Sequence, residues 1–172
     1  MTTTIKQLYP STSTTALTIT LASLATSSTL LTGRQSTAVD NTTNLDLDHL
    51  LTGKIRLGTS PTVSTIIQVW VFAPHTISAG TPTYPDTLGA TDAGVSITSD
   101  NVKFPMLKLA WSAVVDATTG RDYYIPPTSI ASLFGEMPPF WGVWVTHSTA
   151  VALDSTAGNH SMNYYRIQKQ TV

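Results

Sequence analysis

No cysteine occurs in the 172 residues, which excludes disulfides, thiolate metal sites and a cysteine nucleophile together. Its absence also fits folding in a reducing cytoplasm. Charge is scarce as well. Asp, Glu, Lys and Arg make up 11% of the chain, against about 25% in an average soluble domain, and Glu136 is the sole glutamate. A net charge of −1 and a pI near 6.4 supply no basic field to attract a nucleic acid. The most apolar run, Ile66 to Ala73, is far shorter than the roughly 20 residues that span a bilayer. The start, Met1-Thr2-Thr3-Thr4-Ile5-Lys6, lacks the basic region and apolar core of a signal peptide. The expectation is a soluble chain that stays where it is translated until it assembles, with neither nucleic acid nor membrane as partner.

What the chain has instead is hydroxyl. Threonine and serine form about a quarter of it, beside 41% hydrophobic residues. Monomers that must stay apart carry many mixed surface charges, so a chain without them is expected to spend much of its surface against other protein. Short Thr-rich alternating runs predict strands, because β-branched side chains fit a pleated, half-buried sheet.

Leu17, Ile19 and Leu21 alternate with Thr18 and Thr20, which predicts a strand with one buried face. Leu30 to Val39 reads as a short strand or two around Gly33. Leu45, Leu47, Ile55 and Leu57 alternate again, with Asp46 and Asp48 on the opposite face and a turn or bulge at Thr52-Gly53. Thr65 to Ala73 is apolar on both faces and belongs in a sheet centre or under a partner. Pro74 to Lys103 reads as long, loop-like and interfacial, with one weak strand at Val95–Thr98. Met106 to Val115 predicts a strand that turns at Asp116–Gly120 into a hairpin partner over Arg121–Ile125. Ser129 to Phe134 predicts one helical turn, N-capped by Ser129 and ended by Gly135. Phe140–Val145 and Ser161–Gln168 close the set.

About eight strands and no helix of core size predict an all-β fold, a jelly-roll-like antiparallel β-sandwich over residues 16–172. The predicted core holds Leu17, Ile19, Leu21, Leu47, Val69, Val71, Leu109, Trp111, Val143 and Val145. Residues 1–15 form an extended N-terminal arm in this reading. Its large apolar side chains Ile5, Leu8 and Tyr9 lack a local core, and they are the expected anchors on a neighbouring subunit or surface.

Reaction chemistry is not advertised. Asp40, Asp46, Asp48 and His49 are the densest ligand group. Calcium, however, takes six to eight spaced oxygens, and strand alternation directs His49 away from Asp46 and Asp48. Two aspartates that solubilise an exposed face are expected there. Asp86, Asp92 and Asp100 fit turn chemistry. His75, His147 and His160 have no metal-site spacing, no serine lies in a GxSxG frame, and a glycosidase pair would have to be built from aspartates. The expected protein is not an enzyme, with no catalytic residue, metal or cofactor. Trp141 and Trp144 in Pro138–Trp144 are the best candidates for a sugar-stacking platform. Three apart, they face opposite sides of a strand, which favours core packing or a subunit contact.

The segment Gly33-Arg34-Gln35-Ser36-Thr37-Ala38-Val39-Asp40-Asn41, followed by Leu45-Asp46-Leu47-Asp48 and Thr52-Gly53-Lys54-Ile55 behind a Thr-rich arm, resembles the small jelly-roll decoration (cement) proteins of tailed bacteriophage capsids. The similarity is one of pattern. It covers about two thirds of the chain and is weakest after Gly120. It implies a non-enzymatic protein, commonly trimeric, on the outer surface of a virion made in the host cytoplasm, bridging capsomers with the major capsid protein as partner. It carries no catalytic residues over. The rival reading is a carbohydrate- or receptor-binding module of a phage tail or surface assembly, with the same fold class and an aromatic loop surface.

Overall fold

Alternation of β-branched and hydroxyl side chains commits most of the chain to extended backbone. The computed structural model describes residues 5–10 and 14–171 (of residue 171, the backbone only). Its strands are β1 (Ile5–Leu8), β2 (Thr15–Ala16), β3 (Thr32–Gln35), β4 (Val39–Asp40), β5 (Asp48–Arg56), β6 (Ile66–Phe72), β7 (Thr76–Ser78), β8 (Thr81–Thr83), β9 (Ala93–Ser96), β10 (Lys108–Val114), β11 (Asp122–Ser129), β12 (Phe140–His147) and β13 (Ser161–Thr171). Two short helices, α1 (Asp100–Met106) and α2 (Ile130–Phe134), and a 3-10 turn at Ala157–Asn159 interrupt them.

Two antiparallel sheets face each other. One runs β1-β13-β5-β11 with β2 also on β13, and the other β10-β6-β12-β3-β9 with β4 on β12. Eight of these strands form the sandwich proper: β2, β3, β5, β6, β10, β11, β12 and β13. Counted one to eight in chain order, they lie in the sequence 1-8-3-6 in one sheet and 2-7-4-5 in the other. That is the strand order of a jelly roll. The expected all-β sandwich of about eight strands is therefore what the chain forms.

Its main core lies between the sheets and includes Leu51, Ile55, Ile67, Val69, Val71, Trp141, Val143 and Val145. A second core lies on the outer face of the β6–β12 sheet, where Trp70, Phe72 and Trp144 pack with Tyr84, Leu88, Val95, Ile97 and Leu107. The two-sided apolar character of β6 is thus accounted for by the chain itself. The 74–107 segment, expected to be loop-like, is the cover. It carries the β7–β8 hairpin, β9 and α1; the weak strand expected at Val95–Thr98 overlaps β9, while the hairpin and α1 are too short for a period to show.

Other expectations are corrected by pairing. Leu17 and Leu21 are buried and Ile19 packs against the core, yet only Thr15–Ala16 joins a ladder there. Beyond it, Leu17 donates to Met162 O and Thr18 accepts from Thr37 N, both at 2.8 Å, so the segment crosses from one sheet to the other. Leu109 is exposed rather than in the core. A bulge between Leu109 and Trp111 sets two residues of β10 against one of β6, which reverses the alternation. Trp111 is partly buried against the main core. β10 and β11 do not form a hairpin: β11 pairs with β5 and β10 with β6, so Asp116–Gly120 carries the chain between sheets. Thr52-Gly53 is neither turn nor bulge but mid-strand, and the extra residue lies opposite, between Ile125 and Thr128.

α2 follows its sequence signals closely. Ser129 Oγ accepts from Ser132 N at 3.0 Å, and Gly135 ends the helix in the left-handed region at φ 89°.

Gly33 sits where a Cβ would overlap the carbonyl oxygen of Val145 and crowd the Trp144 ring. Overpacking of this kind costs about 1–3 kcal/mol. Gly33→Ala should lower the denaturant midpoint without changing the m-value, as read by urea unfolding.

Candidate assembly surface

The arm residues Ile5, Leu8 and Tyr9 lie beside the C-terminal half of β13. β1 pairs antiparallel with it, from Leu8 opposite Gln168 to Ile5 opposite Thr171. The backbone partner of the arm is thus the chain's own last strand, so the arm is continuous with the sheet. Strand pairing satisfies the backbone groups that face β13, but it buries little. Ile5 is 64% and Tyr9 52% exposed, Leu8 is half-buried, and Gln7 Nε2 donates to the Tyr9 hydroxyl at 3.0 Å. Residues 1–4 and 11–13 of the expected arm lie outside the described residues.

On the other edge of β13, the polarity expected for 45–48 is inverted. Asp46 is buried, while Leu45 is 73% and Leu47 44% exposed. The cause is a turn: Leu45 takes a left-handed backbone at φ 50°, a conformation that costs a bulky residue roughly 1–2 kcal/mol. Leu47 lies in the bend between this turn and the start of β5 at Asp48, and so falls outside the predicted core. Asn41 locks it, since its side chain donates to Asp46 O and accepts from Asp46 N, both at 2.9 Å. Leu47 N then donates to Ile167 O at 2.8 Å. Met137 and Pro139 line a shallow groove beside Leu45.

Asp46 is the hub beneath this turn. Its carboxylate accepts from Arg166 Nε at 2.7 Å and Nη2 at 3.2 Å, and from Gln168 Nε2 at 2.6 Å. His49 Nε2 lies 2.9 Å from Asp46 Oδ2, and His49 Nδ1 accepts from Trp141 Nε1 at 2.9 Å. An indole nitrogen only donates, so Nδ1 carries no proton and Nε2–H donates to Asp46. Strand alternation predicts His49 on the opposite face from Asp46; the bend at Leu47, between the two, breaks that alternation and lets them meet. Tyr164 packs on both rings, with centroids 4.6 Å from His49 and 5.5 Å from Trp141. Burial pushes the Asp46 carboxyl up, but hydrogen bonds from Arg166, His49 and Gln168 outweigh it and hold it below the usual range. Burial holds His49 below the ordinary imidazole value against the pull of Asp46. Arg166 and Gln168 are more than a hundred positions from Asp46, and no local pattern marks their meeting.

The remaining carboxylates are engaged separately. Asp40 caps its own turn through Thr42. Asp48, expected to solvate an open face, accepts from Ser129 Oγ and Ala131 N at the start of α2. Asp86 ties Thr98, and Asp92 joins Thr20 to Arg34. Among the described residues no cluster of metal-ligating side chains forms. Trp141 and Trp144 are fully buried in the two different cores, as their spacing on one strand predicted, and so present no face to a sugar. No helix among the described residues is long and apolar enough to cross a membrane. Compared with known protein families, curated proteins and solved structures, the chain matches none.

Removing the Asp46 carboxylate strands a guanidinium and an imidazole in a largely dry site. Asp46→Ala should cost about 3 kcal/mol and loosen the Leu45 turn, measured by urea unfolding and by amide exchange at Leu45 and Leu47. Acid should act on the histidines first. Burial lowers both His49 and His147 in the folded chain, so the unfolded chain takes up protons at a higher pH. Their contribution is therefore full above the ordinary histidine value of about 6.5 and is lost as pH falls through the folded values. Urea midpoints should decline on acidification from about pH 7.5 to 5.5, and a flat profile would contradict this.

Proposed function

We propose that the protein is a non-enzymatic structural component that decorates the outer surface of a tailed-phage capsid and stabilises it by bridging capsomers. The major capsid protein is its partner and a homotrimer its unit. One observation carries this reading: most of the cations are tied up in ion pairs within the chain, and the exposed surface is studded with apolar side chains. Among the described residues Arg34, Lys54, Arg56, Lys103, Arg121 and Arg166 are ion-paired within the chain, which leaves Lys6, Lys108 and Lys169. Meanwhile Ile5, Tyr9, Leu45, Val63, Phe104, Val114 and Tyr124 are more than half exposed. Hydroxyl-rich, charge-poor surfaces make hydrogen bonds across an interface without the desolvation penalty of buried ions. Many weak copies then give tight attachment.

The engagement of Asp46 and His49 in structural hydrogen bonds supports the non-enzymatic part of the reading, since His49 has no ring nitrogen left for a nucleophile. The carbohydrate- or receptor-binding alternative loses its best candidate with the burial of Trp141 and Trp144.

Gel analysis and electron microscopy of purified virions of the encoding virus test the proposal. The expected outcome is a band near 18.4 kDa at a copy number close to that of the major capsid protein, with density on the outer shell. A band absent from virions, or confined to tail fractions, would overturn it. Sedimentation of the isolated protein should show a trimer.

A further inference from the structure

Three open strand edges of the sandwich are blunted in the ways that prevent edge-to-edge pairing. β10 carries Lys108 and a bulge between Leu109 and Trp111. β11 contains Pro126 and Pro127 and a bulge beside them. The end of β9 is occupied by Thr87, whose hydroxyl donates to Ser96 O at 2.7 Å. β1 has none of these devices except Lys6. It contains no proline and no bulge, and no strand among the described residues covers its outer edge. Ile5, Lys6 and Gln7 are exposed and Leu8 half-buried, although Ile5 and Leu8 are large and apolar.

From this we infer that β1 is a self-pairing edge: two copies of the chain join antiparallel through it about a two-fold axis, with Gln7 facing Gln7 of the second copy. The inference deepens the proposed assembly role and rests on it. A two-fold axis through an antiparallel pair requires one residue to face its own counterpart. Centred on Lys6, the pairing would set two ammonium groups against each other, which is unfavourable. Centred on Leu8, it would put Lys6 opposite Pro10, which has no N–H to donate. Centred on Ile5, it runs out beyond the strand. Centred on Gln7, it sets two amides face to face, each able to donate and accept. It also places Ile5 opposite Tyr9 of the second copy and Lys6 opposite Leu8.

Side chains alternate along a strand, so Ile5, Gln7 and Tyr9 share one face, as the Gln7–Tyr9 hydrogen bond attests. Pairing therefore builds one strip of apolar–amide–apolar side chains from both copies and leaves no like charges opposed. It also joins the two β1-β13-β5-β11 sheets into one continuous sheet. A two-fold contact of this kind links neighbouring trimers, the geometry that bridging requires. A short edge pair is weak alone and is strengthened where many copies are held side by side.

The cysteine-free chain makes the test clean, because a single introduced thiol reports one contact. Gln7→Cys protein, shown folded by circular dichroism, is exposed to mild oxidant beside Ala117→Cys, whose site is an exposed turn remote from β1. The expected result is a covalent dimer forming about tenfold faster or more for Gln7→Cys, as the effective concentration at a paired edge requires. Ile5→Cys mixed with Tyr9→Cys should cross-link faster than either alone. Gln7→Cys reacting no faster than Ala117→Cys, or Ile5→Cys alone matching the mixture, would overturn the paired edge. The readout uses no capsid, so that failure is distinct from failure of the virion test.

Discussion

A carboxylate cannot stay ionised in a protein interior unless the surrounding groups replace the water it has lost, and the network around Asp46 draws on three separate strands. Arg166 and Gln168 come from β13, His49 from β5, and Trp141 closes the chain of hydrogen bonds from β12. β12 lies in one sheet and β5 and β13 in the other, so the network ties the two layers across the main core. It also holds the 41–47 turn in place, and with it the exposed Leu45 and Leu47. An interior ion and an outward apolar display are two sides of one local arrangement.

The second constraint is the two-sided apolar character of the central sheet. β6 and β12 alternate large side chains to both faces, so a sandwich that covered one face alone would leave Trp70, Phe72 and Trp144 in water. The 74–107 segment supplies the missing layer. Lys103 anchors α1 in it, donating to Leu30 O at 3.1 Å, pairing with Asp100 and lying 5.4 Å from the Trp70 ring centre. Much of the scarce charge is thereby drawn into internal pairs. Hydroxyls and isolated apolar side chains are correspondingly prominent on the outer surface.

Fold class was legible because its determinant is local. A period of two along Leu17–Leu21, the two-faced apolar runs of β6 and β12, and the serine–glycine bracket around α2, are properties of consecutive residues. They persist whatever strand lies alongside. The all-β sandwich, its eight principal strands, most of the core and the burial of Trp141 and Trp144 in different layers follow from that. The errors also have a common form. Continuing the alternation through the bulge in β10 and through the bend ahead of β5 puts Leu109 and Leu47 in the core, and one irregular residue reverses the facing of every residue after it.

By itself, then, the sequence determined that this chain forms sheets, which stretches have two apolar faces, and that few charges remain to keep copies apart. Tertiary structure alone decided that β11 pairs with β5, that Asp46 lies inside with Arg166, and that the arm lies along β13. Those outcomes depend on partners far apart in the chain, the nearest of them 66 residues distant. Backbone ladders and buried ion pairs are chosen by which groups satisfy one another in space, and neighbouring side chains along the chain carry no record of that choice.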